Sequence, residues 1–263
     1  MARAVEGVEK AVNQGAQIVC LQELFRTYYF PQTRVRSSFG LAEPVPGPTT
    51  DVFSRLARRS GVVIVVPVFE RKSARVYHNA AVVIDADGGI AGIYRKMHLP
   101  SDPSFYEDYY FTPGSRASSS FQTRYGKLAV LICWDQWFPE PARLAAVSGA
   151  SILFYPTAIG WRARQRGRSR FEEREAWEMV QRSHAIANGI FVAAVNRVGR
   201  EGALRFWGGS FVAGPLGRVV ACAGGDRGEV LVARLDLSEI ARVREDWPFL
   251  RKRRIPLRYE PNG

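Results

Sequence analysis

Short runs of only apolar residues recur in this chain, among them positions 18–21 (IVCL), 62–66 (VVIVV), 128–132 (LAVLI) and 190–195 (IFVAAV). A strand with one wet face alternates apolar and polar residues, so runs without a polar position belong to strands covered on both faces. Helical patterns separate them. Residues 2–14 carry Val5, Val8 and Val12 at near-helical spacing and stop at Gly15, residues 50–59 stop at Gly61, and 140–148 and 171–188 follow. Strands are also expected at 79–85 and 89–94, joined by the hairpin dipeptide Asp87-Gly88. Others are expected at 151–155, 209–213, 218–222 and 229–235. Buried strands alternating with helices, with hairpins mixed in, give an α/β architecture: a mixed sheet, or two sheets layered with helices. No linker, repeat or low-complexity stretch divides the 263 residues, so residues 1–263 read as a single domain.

Several function classes drop out on composition. Cys20, Cys133 and Cys222 are odd in number and lack C-x-x-C spacing, which indicates neither a disulfide framework nor a thiolate metal site. No two of His78, His98 and His184 stand three to five apart, and no cofactor is expected. No apolar run reaches the roughly 18 residues of a membrane helix and no signal peptide opens the chain, so a reducing cytoplasmic setting is expected. The formal net charge is +12, and 32 of the 37 cationic residues are Arg. The densest run, residues 162–170, could grip phosphates, but no aromatic residues are interleaved for base stacking. A solvated basic surface is the simpler reading, and nucleic acid is not the expected partner.

Chemistry belongs at the ends of buried strands. The 18–21 run leads into Gln22-Glu23, the 89–94 strand into Arg95-Lys96-Met97-His98, and the 128–132 run into Cys133-Trp134-Asp135. A carboxylate, an ammonium and a thiol brought to one pocket would complement each other. Glu23 could take the thiol proton, and Lys96 could favour the thiolate and stabilise an oxyanion on a carbonyl substrate. Cys20 and Cys222 lie in apolar runs without titratable neighbours and read as structural.

The segments LQELF (21–25), YRKMHLP (94–100) and LICWDQWFPE (131–140) resemble the three signature blocks of the carbon–nitrogen hydrolase (nitrilase) superfamily. TYYFPQ (27–32), FYEDYYFTPG (105–114), YPTAIGW (155–161), HAIANGIFVAAVNRVG (184–199) and DWPFLRKRRI (246–255) extend the likeness over nearly the whole chain. The resemblance implies a four-layer α-β-β-α sandwich with mixed sheets and a Glu23-Lys96-Cys133 triad, Cys133 being the nucleophile. It also implies support from Glu107 and from the Trp134 backbone amide, and places Tyr29 and His98 among the supporting residues. The expected activity is cysteine-dependent hydrolysis of a non-peptide C–N bond through a thioester. The branch most resembled cleaves N-carbamoyl amines, carbamoylputrescine above all, to carbon dioxide, ammonia and the free amine.

Relatives that take carbamoyl amino acids carry paired arginines just after the cysteine, able to clamp a carboxylate. Here those positions are Gln136 and Trp137, which suits a cationic or neutral tail. Two alternatives are an amidase or ω-amidase acting on linear carboxamides, and a catalytically impaired basic anion- or nucleic-acid-binding protein on the same scaffold. The family opens with a strand before its first helix, whereas this chain opens on the helix; a start upstream of Met1 would supply that strand, and a start at Met1 would leave a sheet with a new open edge. Ser115 and Gly209 stand where the family often has aspartate and serine. The expected partners are a small-molecule substrate and, by back-to-back sandwich packing, further copies of the chain.

Overall fold

The computed structural model describes residues 1–115, 120–162 and 170–254. Its first half runs α1 (Ala2–Asn13), β1 (Ile18–Cys20), α2 (Pro48–Ser60), β2 (Val63–Arg71), β3 (Tyr77–Ile84), β4 (Ile90–Arg95), α3 (Glu107–Tyr110), β5 (Ser120–Thr123) and β6 (Gly126–Val130). There follow α4 (Pro139–Val147), β7 (Ile152–Thr157), β8 (Gly160–Arg162), α5 (Arg170–Asn188), β9 (Phe191–Asn196), β10 (Val198–Glu201) and β11 (Leu204–Trp207). Last come β12 (Phe211–Ala213), β13 (Val219–Cys222), α6 (Ser238–Asp246) and α7 (Phe249–Lys252).

The strands form two principal sheets, ordered β1-β2-β3-β4 and β13-β12-β9-β7-β6-β5, and a small sheet β10-β11-β8. β1 pairs parallel with β2, and the β6-β7-β9 centre of the second sheet is parallel as well. Side-chain parity explains the uninterrupted apolar runs. Val63, Val65, Ala81 and Val83 join Leu128, Val130 and Ile152 in the core between the sheets. Their alternates Ile64, Val66, Val68, Ala80, Val82 and Ile84 pack with Val8 of α1 and Phe53 and Leu56 of α2. Both faces of β2 and β3 are therefore dry. On the far side α4 and α5 supply Ala142, Ala145, Trp177 and Ala185 to the core that holds the second sheet. The result is the expected α-β-β-α sandwich. Each fully buried Val, Ile or Leu contributes about 1.5–3 kcal/mol to holding the layers together.

Three local readings change. The run 128–132 leaves the sheet after Val130, and Cys133 opens a short 3-10 turn, Cys133–Trp137. The small sheet escaped the sequence reading because β8, β10 and β11 are three or four residues long and carry Arg162, Arg200 and Arg205. Residues 229–235 join no sheet. They border a groove of 1610 Å³ whose other walls include α1, β1 and the faces of Ala193 and Phe211. Among the described residues β1 pairs with β2 alone, and it borders this groove. The interior of the basic 162–170 run, residues 163–169, lies outside the described residues.

Candidate active site

Each strand-end residue reaches its place by a different local device. Beyond β1 the chain turns sharply at Leu24, whose φ of 47° lies in the left-handed region that branched side chains avoid. Buried Arg197 holds that turn. Its Nη2 donates to the carbonyls of Leu24 at 2.7 Å, Thr27 at 3.1 Å and Glu23 at 3.3 Å. Glu23 is thereby turned inward and is fully buried. β4 ends at Arg95, which grips Glu70 through two contacts of 2.6 Å. The next residue, Lys96, donates its N–H to the Asn79 carbonyl of β3 at 2.8 Å, and its own carbonyl accepts from Gly114 at 2.8 Å. Gly114 is required there: a Cβ would stand 2.1 Å from the Arg95 carbonyl oxygen. Cys133 also has a positive φ, 45°, at the head of its 3-10 turn.

The side chains meet in the interior. Lys96 Nζ lies 2.8 Å from Glu23 Oε1 and 2.7 Å from Glu107 Oε2, all three groups being fully buried. Asn79 Nδ2 donates to Glu23 Oε1 at 2.7 Å and reaches Glu107 Oε2 at 3.3 Å, so one amide bridges the two carboxylates. The Tyr29 hydroxyl donates to Glu107 Oε1 at 2.7 Å. Glu23 Oε2 and Asn79 Oδ1 are buried without a hydrogen-bond partner. One oxygen of Glu23 thus remains open to accept a proton.

Electrostatics sharpen this picture. One ammonium faces two carboxylates. Burial works against the Lys96 charge, yet Glu107 and Glu23 together raise its pKa, so it stays protonated. Burial raises Glu107 from 4.5 to about 6 despite the attraction of Lys96, with Glu23 adding repulsion. The Cys133 thiol lies in the field of all three. Burial and Glu23 raise its pKa well above the ordinary value, while Lys96 and a hydrogen bond with the Ala158 backbone pull it down without prevailing. The expectation that Lys96 favours the thiolate is met only in direction; at rest the sulfur is a thiol. Burial likewise raises Cys20, and Cys222 is exposed.

Of the supporting residues expected from the sequence, Tyr29 and Glu107 join the Lys96 cluster. The His98 Nδ1 instead lies 2.7 Å from Asp135 Oδ1, and its ring stacks 3.7 Å over Phe138. The Trp134 ring packs edge-on against Trp137. Gln136 is buried, its Oε1 accepting from Trp177 Nε1 at 2.9 Å. Asn79, Asp135 and Arg197 were missed. Asn79 left one signal, a lone amide opening an apolar stretch; Arg197 left none for the turn it holds, since Glu23, Leu24 and Thr27 lie about 170 positions away. Among the described residues no group of His, Cys, Asp and Glu could hold a metal ion, and no helix is long and apolar enough to cross a membrane.

Comparison with known proteins shows the family and the fold. The family model described as carbon-nitrogen hydrolase matches residues 1–245. The chain is 44% identical to an N-carbamoylputrescine amidase of Solanum lycopersicum, over 98% of this chain and 87% of that protein. A crystal structure of a carbon-nitrogen hydrolase from Helicobacter pylori superposes with a TM-score of 0.92 at 43% identity, covering 96% of this chain and 89% of that one. A variant of an amidase from Nesterenkonia sp. AN1, with a TM-score of 0.77 at 26% identity, covers 95% of this chain and 86% of that one. It carries the acetamide moiety of fluoroacetamide added covalently at the active site cysteine.

Proposed function

The chain belongs to the carbon-nitrogen hydrolase family and is an amide-hydrolysing enzyme, and from that premise we propose that it hydrolyses N-carbamoylputrescine with Cys133 as nucleophile. The observation that carries this reading is the buried Glu23–Lys96–Glu107 cluster, set in the field of the Cys133 thiol. The 44% identity to the tomato enzyme supports the substrate.

The resting thiol is protonated, so the proton must leave as the sulfur attacks. Glu23 Oε2, the carboxylate oxygen without a partner, is the acceptor. Sulfur adds to the carbamoyl carbon, and Lys96 and the Trp134 amide hold the oxyanion. Collapse expels ammonia, with the proton returned by Glu23, and leaves a carbamoyl thioester on Cys133. Water then adds, its proton passing to Glu23, and the released carbamate breaks down to carbon dioxide and putrescine. Glu107 helps to fix the Lys96 ammonium beside Glu23. Gln136 and Trp137 put no guanidinium at the positions after the cysteine where an anionic tail would be clamped, which agrees with a substrate ending in an amine. A homo-oligomer formed by back-to-back packing, in a cytoplasmic setting, belongs to the same reading.

Ammonia release is measured on carbamoylputrescine, on short aliphatic amides and on a carbamoyl amino acid, with wild type and Cys133→Ala. Preference for carbamoylputrescine and loss of activity in the variant are expected. Preference for the aliphatic amides overturns the substrate; activity surviving in Cys133→Ala overturns the nucleophile.

A further inference from the structure

Asp135 is fully buried, and no lysine or arginine makes an ion pair with it among the described residues. It is instead surrounded by donors. Oδ2 accepts from the Tyr94 hydroxyl at 2.6 Å and the Ile132 N–H at 2.9 Å. Oδ1 accepts from the His98 N–H at 3.1 Å and lies 2.7 Å from His98 Nδ1. A carboxylate already accepting three hydrogen bonds places the proton of the fourth on Nδ1.

The origin of these donors matters more than their number. Tyr94 and His98 stand two residues before and two after Lys96, at the end of β4 in the first sheet. Ile132 immediately precedes Cys133, beyond β6 in the second. Asp135 is therefore a clasp across the two layers, tying the strand end that carries the ammonium to the turn that carries the sulfur. It also closes that turn, since its own N–H donates to the Ile132 carbonyl at 3.1 Å. The turn needs holding: φ at Cys133 is 45°, a conformation that costs a non-glycine residue free energy and persists only where its surroundings impose it. Four converging donors also explain the residue type. A carboxylate offers only acceptors, whereas an asparagine would offer one acceptor oxygen and turn an NH₂ toward two of the donors.

Resting on the proposed roles of Cys133 and Lys96, we propose that Asp135 is a positioning residue. Through Ile132 on one side and Tyr94 and His98 on the other, it sets where the sulfur stands relative to the Lys96 ammonium. His98 is its adjustable partner and holds the clasp rather than the substrate.

The test is kcat and KM for ammonia release from carbamoylputrescine, expressed per folded enzyme by near-ultraviolet circular dichroism. Asp135→Asn is expected to lower kcat about tenfold or more, as misplacement of reacting groups does. KM should stay within about twofold, the signature of an interaction lost only in the transition state. His98→Ala should lower kcat in the same way. His98→Asn, whose amide donor can stand where Nδ1 stood, should recover at least about half of that loss. A kcat per folded enzyme close to wild type in Asp135→Asn, or a rise in KM with kcat kept, overturns the proposal. Should Asp135→Asn not fold, the histidine pair decides: recovery by Asn supports the clasp and equal impairment refutes it. If Cys133→Ala is inactive while Asp135→Asn is unimpaired, the clasp alone fails; if Cys133→Ala is active, the underlying reading fails first.

Discussion

Replacing Glu107 by Gln should make the protein more stable and less active at once. The carboxyl is wholly buried, and its pKa rises from 4.5 to about 6, burial outweighing the pull of Lys96. The contact with Lys96 at 2.7 Å is worth about 6 kcal/mol at an effective dielectric constant of ~20. That attraction does not cover desolvation and the repulsion of Glu23. The difference between 4.5 and 6 amounts to about 2 kcal/mol by which ionisation of this group opposes folding at neutral pH. Gln is isosteric. Its Oε1 can accept from Lys96, and the Tyr29 hydroxyl can turn to accept from its Nε2, so geometry is kept while the charge goes. Urea unfolding at pH 7.5 should show the variant more stable by up to about 2 kcal/mol.

The pH dependence fixes the sign. Because the folded-state pKa lies above the unfolded one, wild type carries the full penalty above pH 6. It sheds that penalty as the pH falls from about 6 to 4.5, and the advantage of the variant should shrink over that window. The kcat for ammonia release should drop, because Lys96 loses one of the two charges that fix it. Destabilisation by about 3–5 kcal/mol, the usual result of breaking a buried ion pair, would refute this reasoning, as would unchanged kcat.

Gly114→Ala should cost about 1–3 kcal/mol and lower kcat, since its Cβ would meet the Arg95 carbonyl at 2.1 Å and displace Lys96; calorimetry and an ammonia assay check both. Arg197→Met should destabilise by about 3–5 kcal/mol, because it releases the Glu23–Leu24 turn and strands Glu201; equilibrium unfolding measures this. A short iodoacetamide pulse at pH 7.5, read by mass spectrometry, should label exposed Cys222 ahead of buried Cys133; Cys133 labelled first would mean that its thiolate forms despite burial and Glu23.

How far the sequence could be read followed from how local each signal was. The runs at 62–66 and 128–132 announce doubly covered strands because burial on both faces leaves no polar position. Glu23, Lys96 and Cys133 were legible because each stands just beyond the end of an expected strand. Asn79 and Arg197 act on partners distant in sequence, and nothing near them marks the pairing. Residues 229–235 mislead for the opposite reason. Their apolar run is that of a strand, but a strand requires a neighbour as well as a pattern, and among the described residues none lies beside them.

The groove beside β1 has a consequence for handling the protein. Its walls hold a strand edge that has no partner strand among the described residues, and the apolar stretch Val230-Leu-Val-Ala233, both within reach of solvent. Backbone groups left without partners seek them in neighbouring molecules. On concentration, self-association through this seam should therefore precede loss of the native fold, and turbidity rather than unfolding should set the working limit in solution.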